Sequence, residues 1–228
     1  ISIDKIEGDI VFLNILLVER PILSRCSYKG VKSSQHEDLN DIVKNILTKG
    51  GIVTDDQKDL AKAKIKEFYI GKGKLDAKVD VSEVPEESKV PSVRLIFEIY
   101  PNERVKVENI TFEGNKIYSD RKLRKKMSKI KRKGTLFRKS KYIAKEYQED
   151  LASLSKFYHN EGYKNMTIVH DTVYRLKNGN VMIDIKIDEG KRHYFRDIKW
   201  KGNSLYKEDY LNTVLGISKG DIYNPELL

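Results

Sequence analysis

One phrase recurs three times in this chain, ending in Gly30, Gly114 and Gly202, which lie 84 and 88 residues apart (114 − 30 and 202 − 114). Its flanks align without gaps. Arginine stands ten positions before each glycine (Arg20, Arg104, Arg192), an aromatic two before (Tyr28, Phe112, Trp200), and Cys26, Ile110 and Ile198 four before. Further upstream an alternating apolar strand repeats as Val11, Leu13, Ile15, then Leu95, Phe97, Ile99, then Ile183, Ile185, Ile187. A period this long holds one complete small domain per unit, so the sequence specifies an array of modules and function has to be sought in the array.

The pattern predicts module limits at 1–19, 20–102, 103–190 and 191–228, the first and last of them partial. Residues 1–4 and 10–18 predict a hairpin turned near Gly8. The first complete module opens with a strand over 22–28. A helix carrying Leu39, Ile42, Val43, Ile46 and Leu47 on one face follows, closed by Gly50. Thr54 with Gln57 has capping-box spacing for a second helix bearing Ala61, Ile65, Phe68 and Tyr69. Two alternating strands follow, Leu75-Ala77-Val79-Val81 and Val93-Leu95-Phe97-Ile99, joined by a polar loop over 85–89. The second complete module repeats that order. It has a strand over 105–112, a helix through Leu123, Met127 and Ile130, a helix through Tyr147, Leu151, Leu154 and Tyr158, and a hairpin turned at Asn178-Gly179. A third copy predicts a strand over 195–200, a helix with Leu211, Val214 and Leu215, and a helix start at Asn224-Pro225-Glu226. The fold class is therefore α+β. Each module is β-α-α-β-β, with both helices on one face of a three-stranded mixed sheet, because each helix has a single apolar stripe.

Composition closes off several functions. The longest apolar stretch, 10–18, is broken by Asn14 and far too short for a membrane helix. No leader pattern opens the chain, and both ends read as cut boundaries. A single cysteine rules out an internal disulfide, and Cys26 takes a small core slot. His36, His159, His170 and His193 lack metal-ligand spacing, and His170, aligned with Val81, is expected as a satisfied structural histidine. Gly71-Lys72-Gly73-Lys74 follows a helix rather than a strand, so it is not a phosphate loop. No catalytic constellation and no cofactor are expected.

Net charge is +10, and residues 121–141 hold twelve lysines and arginines with no carboxylate. Arg124, Lys125, Lys126, Lys129, Lys131, Arg132 and Lys133 form a candidate basic patch. It is open to three readings: a solvated face, a surface for acidic lipid headgroups or an acidic partner, or a nucleic-acid contact. The strand-helix-helix-strand order also occurs in KH-type RNA-binding modules. Their GxxG clamp is absent from the helix connections here, which read Lys49-Gly50-Gly51-Ile52 and Lys131-Arg132-Lys133-Gly134, so no nucleic acid is expected.

The element order, the Gly114-Asn115 and Gly202-Asn203 pairs, and the Phe157-Tyr158 to Gly162 helix ending resemble the polypeptide-transport-associated (POTRA) domain. The run Ile187 through Arg192, entering Ile198 through Asn203, is similar to the junction between POTRA domains of BamA-type outer-membrane assembly factors. Val31 in place of asparagine, and the glycine-free junctions near Arg20 and Arg104, depart from the pattern. The resemblance implies a periplasmic arm ahead of a membrane β-barrel that lies outside this sequence. Such an arm receives unfolded outer-membrane proteins and scaffolds accessory lipoproteins; the alternative is the arm of a two-partner secretion or translocation pore. It also implies that the strand after the second helix is an exposed edge, at Val79, Asp80 and Val81 in one module and at Thr167, Ile168, Val169 and His170 in the next. Unpaired edge N–H and C=O groups can accept a client strand without reading its side chains. Proline at Thr167 or Val169, whichever N–H points outward, is expected to weaken client binding.

Overall fold

The computed structural model describes residues 1–16, 20–87, 90–135 and 140–228. The predicted strand residues 17–18, loop residues 88–89 and the cations Arg138 and Lys139 lie outside the described residues. The chain divides into two compact units, Ile1–Ile70 with Asp76–Glu103, and Gly71–Leu75 with Arg104–Leu228.

In the first unit, β1 (Ser2–Glu7) and β2 (Ile10–Asn14) form an exposed antiparallel hairpin. Strand β3 (Ile22–Lys29), helices α1 (His36–Val43) and α2 (Asp55–Gly71), and strands β4 (Lys78–Glu86) and β5 (Ser92–Tyr100) follow. Sheet order is β3-β5-β4, with β3 parallel and β4 antiparallel to the central β5. Alternation on β5 sends Val93, Leu95, Phe97 and Ile99 into the core, where they meet Leu39, Ile65 and Tyr69 of the helices. Burying each such side chain contributes about 1.5–3 kcal/mol. The start of α2 is a closed capping box. The Gln57 N–H donates to Thr54 Oγ1 at 3.3 Å, and the Thr54 N–H donates to Gln57 Oε1 at 3.1 Å.

The second unit repeats the plan with β6 (Val107–Glu113), α3 (Asp120–Lys126), α4 (Ala144–Asn160), β7 (Thr167–Arg175) and β8 (Val181–Asp188), in sheet order β6-β8-β7. Its core joins Leu123, Leu154 and Tyr158 to Ile110, Ile183 and Ile185. Helix α5 (Glu208–Leu215) ends on Gly216 in the left-handed conformation, and Asn224 accepts the Glu226 N–H at 2.9 Å to start a 3-10 turn. None of the helices in the described residues is long and apolar enough to cross a membrane.

Several expectations need correction. Helix α3 stops at Lys126, although Met127 and Ile130 are fully buried. The carboxylate of Asp150 accepts the N–H groups of Lys129 (3.0 Å) and Ile130 (2.6 Å) and so replaces the helical carbonyls those groups would have used. Helix α1 likewise ends at Val43, with Ile46 and Leu47 delivered to the core by a following turn. Leu75 lies before β4, in a turn, and packs in the core of the second unit; Pro85 lies inside β4 rather than in the loop after it. Cys26 is half-buried, and burial pushes its thiol up to about 11. Residues 195–200 form no strand. In both complete modules the first strand runs beside that module's last strand, and the described residues of the third copy hold no such partner.

His170 is exposed rather than packed. The β7–β8 register slips between Ile168 and His170, leaving Val169 as a bulge. Val81 sits opposite Phe97, and Asp171, not His170, sits opposite the matching Ile185. The gapless alignment of His170 with Val81 fails at that inserted residue.

Candidate functional site

Each sheet has two outer strands, and the protein treats them differently. On the β3 side the chain covers its own edge. The Leu23 N–H donates to Gly51 O at 2.8 Å, the Gly50 N–H donates to Leu23 O at 2.7 Å, and Ile22 bridges Ile52. On the β6 side the Lys133 N–H donates to Val107 O at 2.7 Å, the Val107 N–H donates to Ser140 Oγ at 2.8 Å, and the Arg124 guanidinium caps Ile110 O at 2.8 Å. Among the described residues no strand or bridge pairs with the outer side of β4 or β7.

Which backbone groups face outward follows from the register. The Ile22 N–H donates to Pro91 O, so odd-numbered residues of β5 point their backbone toward β3 and even-numbered ones toward β4. Opposite them, Asp80 and Ser82 turn inward to Glu98 and Ile96, which leaves the N–H and C=O groups of Val79, Val81 and Glu83 outward. Pro85 has the same outward parity, where a missing N–H removes no ladder bond. Thus Val79 and Val81 present outward main-chain groups while Asp80 presents none.

The same argument applies to β7. The Val181 N–H donates to Lys106 O, so even residues of β8 face β7 and meet Tyr174, Thr172, His170 and Thr167. The Thr167 N–H therefore points into the sheet. The outward groups are Ile168, then Asp171 and Val173, and the Val169 bulge interrupts them. Val169 is itself exposed. A nine-residue ladder without a slip makes β4 the more regular open edge. Its Glu83 is tied to α2 through Lys58, whose ammonium is held above its ordinary value by hydrogen bonds to Asp55 and Glu83.

The cations predicted as one patch divide. Lys126 lies over the Phe157 ring at 4.4 Å, Lys129 pairs with Glu149 at 3.6 Å and Lys133 pairs with Glu108 at 3.1 Å. Arg124, Lys125, Lys131 and Arg132 instead converge on a cleft of about 320 Å³, joined there by Arg121, which the sequence did not single out. The sequence signal for Arg121 was its place on the same helical face as Arg124 and Lys125, three and four positions on.

The family model for POTRA, described as a surface antigen variable number repeat, matches residues 105–190 and 193–228, more than half of the chain. Among curated relatives, the outer membrane protein assembly factor BamA of Neisseria meningitidis serogroup B is 27% identical over 90% of this chain and 26% of its own length. That of Buchnera aphidicola is 24% identical over 95% of this chain and 35% of its own length. This chain thus spans roughly a quarter to a third of the relatives it matches. Among solved structures, POTRA3-5 of Haemophilus influenzae BamA aligns over 92% of this chain and 84% of its own, at 16% identity and a TM-score of 0.44.

Proposed function

This chain belongs to the POTRA family, and on that premise we propose that it is a stretch of the periplasmic arm of an outer-membrane protein assembly factor, receiving unfolded β-barrel proteins by strand addition. The modules run 1–19, 20–102, 103–190 and 191–228, and the arm is anchored by a membrane β-barrel outside this segment. Accessory lipoproteins dock on the same arm. The relatives that cover nearly all of this chain carry the name of outer-membrane assembly factors, which supports the process.

The observation that carries the binding mode is the asymmetry of the sheets, whose β3 and β6 edges are occupied by the protein's own backbone and side chains while, among the described residues, β4 and β7 stay open. A client that will become a β-barrel is rich in unpaired strands, and main-chain pairing recognises it without a sequence requirement. We place the principal receptor at β4, on the outward groups of Val79, Val81 and Glu83. Strand β7 is secondary because its bulge twists the edge and breaks the row of donors.

The test is a titration of the isotope-labelled chain with a short amphipathic β-peptide. The double variant Val81→Pro/Glu83→Pro removes two outward donors and leaves the inward ladder intact. At about 0.5–1.5 kcal/mol for each of the two hydrogen bonds, affinity should fall by roughly five- to 150-fold. Circular dichroism and amide protection in β5 should persist. Unchanged affinity in a folded double variant refutes strand addition at β4.

A further inference from the structure

We propose that the cleft between α3 and segment 130–135 binds a phosphate group, supplied by the headgroup of an anionic lipid. The lipid source rests on the membrane-associated function proposed above; the phosphate chemistry does not. Among the described residues the lining holds five cations and no carboxylate, with Ile110 and Ile130 as apolar floor. The nearest acid on α3, Asp120, is already engaged by Arg124 at 3.2 Å and by the Asn115 side-chain amide at 3.0 Å. Arg121, Lys125 and Arg132 have no ion-pair partner among the described residues. Among the described residues nothing offsets their mutual repulsion, and a bound anion would relieve it.

The site is also built rather than merely charged. Arg124 is fixed, because its Nη1 donates to Ile110 O at 2.8 Å and to Asp120 at 3.2 Å. Among the described residues nothing engages its Nε and Nη2, a planar fork whose geometry suits a phosphate. On the opposite wall the chain turns at Gly134, and Thr135 Oγ1 donates to Arg132 O at 2.8 Å, holding that arginine's backbone in place. Asp150 anchors the start of this wall through the Lys129 and Ile130 N–H groups. None of the described lining residues is an aromatic on which a nucleic-acid base would stack.

The experiment has two arms, both on the whole chain. Inorganic phosphate should shift the amides of Arg124, Gly134 and Thr135 saturably; unsaturating or scattered shifts overturn the phosphate site. In the second arm, partitioning onto phosphatidylglycerol vesicles should exceed that onto phosphatidylcholine. The variant Arg121→Gln/Lys125→Gln/Arg132→Gln should lower it on the order of a hundredfold. A charge-matched control, Lys62→Gln/Lys64→Gln/Lys66→Gln, should lose far less, and equal loss in the two variants overturns the site in favour of diffuse attraction. Phosphate saturation without vesicle partitioning overturns the lipid source alone and bears on the function reading, whereas tighter binding of a short RNA through the same amides overturns the lipid in favour of nucleic acid. The strand-edge titration is read separately on β4, so either result stands without the other.

Discussion

The hydroxyl of Tyr158 donates to the carboxylate of Glu189 across 2.8 Å, tying α4 to the end of β8 inside the core. The same carboxylate accepts the N–H groups of Lys116 (2.9 Å) and Ile117 (3.1 Å), so one buried acid satisfies the turn after β6 as well. Glu189→Ala strands three donors and should destabilise the second unit by about 2–4 kcal/mol. Pro101 holds the corresponding place in the first complete module (189 − 88), so that unit does not depend on such an acid. Urea titration followed by amide exchange should show β8 amides opening earlier in the variant and β5 amides unchanged.

Asp150 does for the connection behind α3 what Glu189 does for the turn. It is fully buried, and its carboxylate accepts from two main-chain donors, the N–H groups of Lys129 and Ile130. Asp150→Ala should cost about 2–4 kcal/mol by the same reasoning and, in addition, release the wall of the basic cleft. Asp150→Asn keeps one acceptor oxygen and should lose less. Chemical-shift comparison of Gly134 and Thr135 in the two variants checks the second effect separately from the first.

The glycine that marks the repeat earns its place by close approach. A Cβ on Gly114 would lie 2.0 Å from Ile187 O, and one on Gly30 would lie 2.1 Å from Ile99 O, with both glycines at positive φ. Gly202 shares the conformation, yet nothing lies within 4 Å of its would-be Cβ. Gly114→Ala must therefore push the ends of β6 and β8 apart and should cost more than about 3 kcal/mol, whereas Gly202→Ala should cost only the left-handed strain of about 1–2 kcal/mol. Thermal melts of the two variants give the comparison directly.

Those glycines explain how much was legible in the sequence. Their spacing, the alternation on β5 and β8 and the capping box at Thr54 are local signals, and each reappears in the fold where the residues placed it. What the sequence misplaced depends on partners distant in the chain. Helix α3 is cut short by Asp150, 24 residues after Lys126 (150 − 126). Among the described residues, the strand expected over 195–200 finds no partner of the kind β6 has in β8. The Val169 bulge is set by pairing with β8, so no periodicity in β7 announces it, and the outward parity at Thr167 was open for the same reason. For the basic cleft, the sequence supplies the cations, but only the fold separates Lys126, Lys129 and Lys133, each held by another group, from those that converge.

High pH should act on the second unit through its buried phenols. Burial, with a hydrogen bond to Glu161 at 3.1 Å, pushes Tyr118 up to about 12, and burial with the Glu189 bond raises Tyr158 further. In the unfolded chain both hydroxyls ionise near 10. A folded value above the unfolded one means that the contribution is complete below about pH 10 and fades as pH climbs toward 12, because only the unfolded state can release the proton easily. The urea midpoint of the second unit should therefore decrease as pH rises from about 9.5 to about 11.5, across the unfolded phenol's own titration. Tyr118→Phe should start lower, having lost the Glu161 bond, and decline less steeply across the same interval. An equally steep decline in the variant would assign the alkaline loss to other groups.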